Sequence, residues 1–168
     1  MKYAIVVDSS CDMNFTNNNE DNTYMARVPL KLRVGDVEYV DDTDLDVASF
    51  MKEMKEFQGA TGSAAPSPQE WYNEFEKADM TFAVTITSRL SGSYSSAVAA
   101  KDMILEKYPE KKIHIVDSKA AGPGLTLIVK KLQQLIQEDK SFEEIVNEIT
   151  EYTKKVKVFF ILESMDNL

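Results

Sequence analysis

Cysteine, histidine and positive charge are all scarce in this 168-residue sequence. Cys11 is the only cysteine, so an intramolecular disulfide is impossible. The 28 acidic residues outnumber the 19 basic ones and give a net charge of −9, and no Lys/Arg cluster is interleaved with aromatic residues. A nucleic-acid-binding protein normally carries a basic face, so the composition excludes nucleic acid as a partner.

Long apolar runs are also absent. No stretch approaches the roughly 20 apolar residues of a membrane-spanning helix, so stable insertion into a membrane is not expected. Met1-Lys2 leads directly into an apolar run, which predicts that there is no signal peptide. Together with the single cysteine, these features favour a cytoplasmic location.

The motifs of common enzyme classes are missing as well. Neither a P-loop nor Gly-x-Gly-x-x-Gly occurs, which argues against a phosphoryl-transfer or nucleotide-binding enzyme. A serine hydrolase is another alternative, but there is no Gly-x-Ser-x-Gly elbow, and His114, the only histidine, lies inside a strand-like run. No catalytic residue, metal or cofactor is predicted. Acids whose spacing fits no Ca²⁺ loop are interpreted as solvated loop and helix-start residues: Asp8, Asp12, Asp41, Asp42, Asp44 and Asp46.

The sequence does contain an alternation of apolar strands and amphipathic helices. This alternation predicts one Rossmann-like α/β domain, with a mostly parallel sheet and helices on both faces. Buried strands are predicted over 3–7, 82–86, 113–116 and 158–162, and a hairpin over 25–34 and 37–40, with Pro29 at a sheet edge or bulge. Helices are predicted over 67–77, 94–108 and 125–136, and from the capping box of Ser141 and Glu144 to Tyr152.

One further helical stripe contains two methionines. Its apolar residues recur at helical spacing and are Val47, Phe50, Met51, Met54 and Phe57. Packing into a core is the first interpretation of such a stripe. Flexible methionine side chains also suit the wall of a lipid tunnel, which is the second interpretation.

A hydroxyl-rich turn connects a predicted strand ending at Thr87 to the helix that follows. Here the first N–H groups of the helix have no intrahelical partner, and Gly92 allows a ligand to approach the backbone closely. With hydroxyls from Ser91 and Ser93, the turn suits a phosphate or a carboxylate. Taken alone, it favours a plainer interpretation, in which either serine is an N-cap and the glycine only shapes the turn.

A second hydroxyl-rich segment covers residues 61–68. Ser67, Pro68 and Glu70 form a capping-box pattern, so Ser67 is explained as a helix cap. Thr61-Gly62-Ser63 lies upstream in a loop of small residues, which either admits a ligand or is an ordinary connection. Asp8-Ser9, the 87–93 turn and Asp117-Ser118 all follow predicted strand ends, so we expect them on one rim of the sheet, where ligands bind in such folds.

The two turns together resemble the two motifs of the DegV family. Ser63-Ala64-Ala65-Pro66-Ser67-Pro68 is similar to a Thr-Ser-Gln-Pro-Ser-Pro segment, with Ser, Ala and Ala at the first three places. The run from Thr87 to Ala97 is similar to Ser-Ser-x-Leu-Ser-Gly-Thr-Tyr-x-Ser-Ala, with Ser93 in place of Thr. Supporting matches lie in order along nearly the whole chain: Val7-Asp8-Ser9-Ser10, Val28-Pro29-Leu30 with Tyr39, and Val116-Asp117-Ser118 followed by Gly122 and Gly124.

The resemblance implies a lipid-binding protein rather than an enzyme. It implies that Ser63 and Ser91 hold the carboxylate of a long-chain fatty acid, with Gly92 and Ser93 forming the helix N-terminus behind them. It also implies presentation of the fatty acid to a fatty acid kinase. Residues 1–168 would then be the first domain, and a second, lid-like domain would follow. A hydrolase, a phosphoryl-transfer enzyme and a non-catalytic interaction domain whose serines only cap helices remain the alternatives.

Overall fold

A computed structural model describes residues 2–13, 23–159 and 161. Its main sheet has four strands in the order β2-β1-β6-β7, and every neighbouring pair is parallel. The strands are β1 (Tyr3–Asp8), β2 (Thr23–Val28), β6 (Met80–Thr85) and β7 (Lys112–Asp117). All residues of β1 are buried, as expected for a parallel strand covered on both faces.

Helices cover both faces of this sheet, which confirms the predicted α/β architecture. On one face, α2 (Pro68–Phe75) and α3 (Ser93–Lys107) pack against Ala4 and Val6 of β1. On the other face, α4 (Pro123–Gln137) and α5 (Phe142–Thr153) pack against Ile5 and Val7. Alternate residues of β1 therefore point to opposite faces of the sheet and pack in two separate cores. The predicted stripe of α4 is buried throughout: Leu125, Ile128, Val129, Leu132, Leu135 and Ile136.

A smaller antiparallel sheet is inserted between β2 and α2. It consists of β3 (Lys31–Val34), β4 (Val37–Val40) and β5 (Thr61–Ala64) in the order β4-β3-β5, and α1 (Val47–Glu56) connects β4 to β5. Gly35 closes the predicted β3–β4 hairpin with a φ of +59°.

Two predictions around this small sheet need correction. Pro29 does not lie within a strand, because β2 ends at Val28 and the chain passes from the edge of the parallel sheet into the small one. Residues 61–63 are not a loop, because their backbone pairs with β3. The residues of β5 are all exposed, and their sequence, Thr-Gly-Ser-Ala, has no alternation of apolar and polar residues that would indicate a strand.

Two apolar segments predicted to be buried are only partly covered. The stripe of α1 forms a helix as predicted, but no residue of that helix is buried, and Val47 is 60% exposed. No strand occurs within 156–159 or at 161, where Phe159 and Ile161 are 89% and 98% exposed. Phe160, Leu162 and the predicted helix start at 163–168 lie outside the described residues. An apolar pattern shows which face can be buried, but burial also requires a surface to pack against.

The structure describes five helices. Each of these is too short or too polar to cross a lipid bilayer.

Candidate functional site

The carboxyl ends of β1, β6 and β7 meet at one rim, as predicted. The Ile86 N–H donates to Asp8 Oδ2 at 2.8 Å, which joins the ends of β1 and β6. The Ser88 N–H and hydroxyl donate to the two oxygens of Asp117 at 3.0 and 2.7 Å, which joins the turn after β6 to the end of β7. The predicted ligand turn is therefore fixed to the sheet on two sides.

Asp8 is the buried centre of this rim. Its carboxylate is fully buried and accepts hydrogen bonds from Ser10 Oγ at 2.5 Å, Ser93 Oγ at 2.6 Å and the Ile86 N–H. The prediction that Asp8 is a solvated loop acid is wrong, because the three donors make burial of the carboxylate possible. The available signal was its position at the end of an unbroken buried run, directly before two serines.

Ser93 begins α3 and faces inward. Its side chain is fully buried and its hydroxyl donates to Asp8, while its backbone N–H donates to Ser91 Oγ at 3.2 Å. Both groups of Ser93 are therefore used inside the protein. Ser93 is thus the first residue of α3, but the prediction that its hydroxyl is available to a ligand is wrong, because that hydroxyl donates to Asp8.

Ser91 precedes the N-cap of α3 and is half-buried. Its oxygen accepts the Ser93 N–H, and the hydroxyl has no acceptor among the residues that the structure describes. The next residue, Gly92, is the N-cap of α3 and provides no side-chain cap. The N–H groups of Tyr94 and Ser95 have no acceptor among the described residues and lie at the positive end of the helix dipole.

Glycine at position 92 is not required by the backbone. Its φ of −72° and ψ of −1° are open to any residue, and a Cβ there would meet only the Ala65 side chain, at 3.7 Å. That short distance also shows that the 61–68 segment lies against the turn of Ser91. The two motifs are separated in sequence and adjacent in space.

Ser63 lies on the exposed strand β5, opposite Leu32 of β3. Its hydroxyl makes no hydrogen bond within the described part of the chain, so it can donate to a ligand. Ser67, in contrast, caps α2 as predicted: its oxygen accepts the Glu70 N–H at 3.3 Å, and the Glu70 carboxylate accepts the Ser67 N–H at 2.7 Å.

His114 is poorly placed to activate a serine. It lies inside β7, paired with Phe82, and within the described ranges it has no hydrogen bond to a serine hydroxyl. Burial, and the nearby charge of Lys101, lower the pKa of this imidazole. Residues 2–13, 23–159 and 161 also bring no three His, Cys, Asp or Glu side chains together as a metal site.

The fold and the rim define an α/β domain with a hydroxyl-rich turn at the start of α3. A family model described as an uncharacterised protein of the DegV family matches residues 2–168, and the chain belongs to the DegV family. A DegV domain-containing protein of Streptococcus pneumoniae (strain ATCC BAA-255 / R6) is 44% identical over 168 residues, which is all of this chain and 60% of that protein. The chain thus spans about 60% of the length of the curated relatives it matches.

Solved structures with the same fold contain fatty acids. The Streptococcus pneumoniae Fatty Acid Kinase (Fak) B3 protein, loaded with linoleic acid, is 43% identical with a TM-score of 0.88, over 92% of this chain and 55% of that one. A DegV family protein from Eubacterium eligens, loaded with heptadecanoic acid, is 35% identical with a TM-score of 0.85, over 91% of this chain and 54% of that one.

Proposed function

We propose that this chain binds a long-chain fatty acid and holds its carboxylate with Ser63, Ser91 and the N-terminus of α3. The observation that supports this most is the arrangement at Ser91, whose oxygen accepts the Ser93 N–H while its own O–H has no acceptor among the described residues and is left to donate to a ligand. A carboxylate only accepts hydrogen bonds, so it complements a site that offers only donors. Gly92 leaves the helix N–H groups accessible to it.

The fatty acids bound in the structures of two relatives support the choice of ligand. The Fak B3 protein and the Eubacterium eligens protein were solved loaded with C18 and C17 fatty acids, respectively. Apolar side chains on the small sheet and α1 would face the acyl chain: Val37, Val40, Val47, Met51 and Phe57 are each at least 38% exposed. The second interpretation of the Met51 stripe, a tunnel wall, thus becomes part of the proposal.

We propose that residues 1–168 are the first domain of a longer protein, whose second domain covers the acyl chain. The relatives are longer than this chain, and an acyl chain half exposed to water would lose much of the roughly 0.8 kcal/mol per buried CH₂ that drives its binding. The mass of the natural protein tests this proposal, and a mass of 19.0 kDa would contradict it.

The protein would present its fatty acid to a fatty acid kinase in the cytoplasm and perform no chemistry itself. Similarity to the Fak B3 protein supports this role, and the position of His114 supports the lack of catalysis. Formation of acyl phosphate by a fatty acid kinase, with and without this protein, is the measurement. Equal rates in both cases would refute the presenting role.

The carboxylate site is tested by Ser91→Ala and Ser63→Ala in the full-length protein. A hydrogen bond to a charged group contributes about 1.5–3 kcal/mol, so each change should weaken fatty-acid binding roughly tenfold or more. The two losses should not add, because both hydroxyls serve one carboxylate. The affinity for the neutral methyl ester should hardly change.

Ser67→Ala is the matched control. It removes a serine from the same segment that only caps α2, so it should cost about 1 kcal/mol of stability and leave fatty-acid affinity unchanged. If Ser91→Ala and Ser63→Ala behave like Ser67→Ala, losing stability but no affinity, their serines are only structural and the carboxylate site is refuted.

A further inference from the structure

Asp8 connects three separate elements beneath the proposed carboxylate site. Its donors are Ser10 after β1, Ile86 after β6 and Ser93 at the start of α3. A buried carboxylate is costly unless its charge is satisfied, and the bonds of 2.5–2.8 Å have the short lengths of charge-assisted hydrogen bonds. Among the described residues no cation forms an ion pair with Asp8, and its hydrogen-bond donors are two hydroxyl groups and one backbone N–H.

Ser93 transmits the position of Asp8 to Ser91. The Ser93 hydroxyl is anchored on Asp8, and the N–H of the same residue donates to Ser91 Oγ at 3.2 Å. A hydroxyl oxygen that accepts on one side must direct its proton elsewhere. The Ser93 N–H therefore limits the directions open to the Ser91 proton, and Ser93 is itself held by a carboxylate with no exposed surface.

We propose that Asp8 is a positioning residue of the carboxylate site, acting through Ser93 to hold the Ser91 hydroxyl in its donor orientation. Asp8 does not touch the ligand, because its side chain is fully buried beneath Ser93, which is itself fully buried. This inference rests on the proposed function of Ser91. In this role Asp8 and Ser93 act on the ligand only through Ser91, and the Ser93 hydroxyl still donates to Asp8 when the ligand is bound.

The experiment compares four variants of the full-length protein: Asp8→Asn, Ser93→Ala, Ser93→Thr and Ser118→Ala. Asn at position 8 keeps the shape but replaces one accepting oxygen with a donor, and Ala at 93 removes the bond to Asp8. Ser118→Ala is the matched control, because Ser118 is an equally buried serine of the same rim whose hydroxyl bonds only to the Ala120 backbone. Affinities for oleate and for methyl oleate, and the melting temperature, are measured on each.

Losing one oriented hydrogen bond should weaken oleate binding roughly three- to tenfold in Asp8→Asn and Ser93→Ala. Methyl oleate affinity should stay within about twofold, because the ester offers no charge for the oriented donor to meet. Ser93→Thr keeps the hydroxyl and should restore the ratio of oleate to ester affinity. Ser118→Ala should lower the melting temperature and leave both affinities unchanged.

The proposal is overturned if the ratio of oleate to ester affinity in Asp8→Asn and Ser93→Ala equals that of the wild type, whatever their melting temperatures. If those two variants do not fold, Ser10→Ala replaces them, since Ser10 is only half-buried and bonds the other oxygen of Asp8. It should lower the ratio by a smaller factor, and no change would refute the role of Asp8.

Failure of the proposed function gives a different result. If the wild-type protein does not bind oleate, or if Ser91→Ala binds it normally, the carboxylate site itself is wrong. If Ser91→Ala loses affinity while Asp8→Asn and Ser93→Ala keep theirs, only the positioning role is wrong.

Discussion

Helices α4 and α1 carry similar apolar stripes but have different surroundings. In the parallel unit, formed by β1, β2, β6, β7 and α2–α5, the stripe of α4 is buried against the sheet. In the small unit, formed by β3–β5 and α1, no residue of α1 is buried, and the helix is attached to β4 by the bond from Tyr39 to Glu53 and a ring contact with Phe50. The periodicity of apolar residues therefore identifies the apolar face of a helix but not the surface that covers it.

The proposed site takes one half from each unit. Ser91 belongs to the parallel unit, where a chain of hydrogen bonds through Ser93 and Asp8 fixes its orientation. Ser63 belongs to the small unit, where it is exposed and its hydroxyl makes no hydrogen bond within the described residues. The two units approach each other where Ala65 lies beside Gly92.

The largest expected difference between the units is in core truncation. Leu132→Ala in α4 removes a fully buried side chain and should lower the free energy of unfolding by about 2–5 kcal/mol. Met51→Ala in α1 changes a residue that is 38% exposed and should stay within about 0.5 kcal/mol. Urea denaturation of this chain measures both. Equal losses would mean that α1 is covered in solution, and the contrast between the units would be wrong.

Helix capping gives a second and smaller test. Ser141 caps α5 in the parallel unit and Asp46 caps α1 in the small one. Ser141→Ala should cost about 1 kcal/mol of global stability. Asp46→Ala should instead speed hydrogen exchange of the α1 amides and change global unfolding little, because α1 can open locally. A shift in global stability as large as that of Ser141→Ala would show that the two units unfold together.

The smallest expected effect is a pH dependence that belongs to the parallel unit. Burial, and the charge of Lys101, lower the pKa of His114 below its ordinary value of 6.5. As the pH falls below 6.5, His114 binds a proton in the unfolded chain before it does so in the folded protein, so the free energy of unfolding declines. Once the pH is below the folded-state pKa, both states are protonated and the contribution of His114 becomes constant.

His114→Gln should remove that part of the slope in denaturation curves measured from pH 7.5 to 5. Exchange of the α1 amides should not respond to the substitution, since His114 lies in β7. An unchanged slope in His114→Gln would show that other groups produce it.

Much of the fold was predictable because parallel strands and capped helices leave local signals. Each of these signals is contained in a short stretch of sequence. Examples are the apolar runs ending at Val7 and Val116, the stripe of α4, and the capping boxes of Ser67 and Ser141. Strand β5 left no such signal, because its partner β3 lies some thirty residues away and neither of its faces is buried. The segment from 156 failed for a different reason: Val156 and Val158 pack against the core, but no strand forms within 156–159 and Phe159 is exposed.

The turn after β6, the helix that begins after Gly92 and the capping boxes of Ser67 and Ser141 could be read from the sequence, because they depend on local backbone chemistry. The folded arrangement was needed to show that Ser93 faces inward, that Asp8 is a buried acceptor and that Ala65 lies beside Gly92. The two atoms of the Ser93–Asp8 bond are 85 residues apart in the chain. A serine hydroxyl can donate to a ligand or to an internal carboxylate, and the choice depends on which acceptor the fold brings within hydrogen-bonding distance.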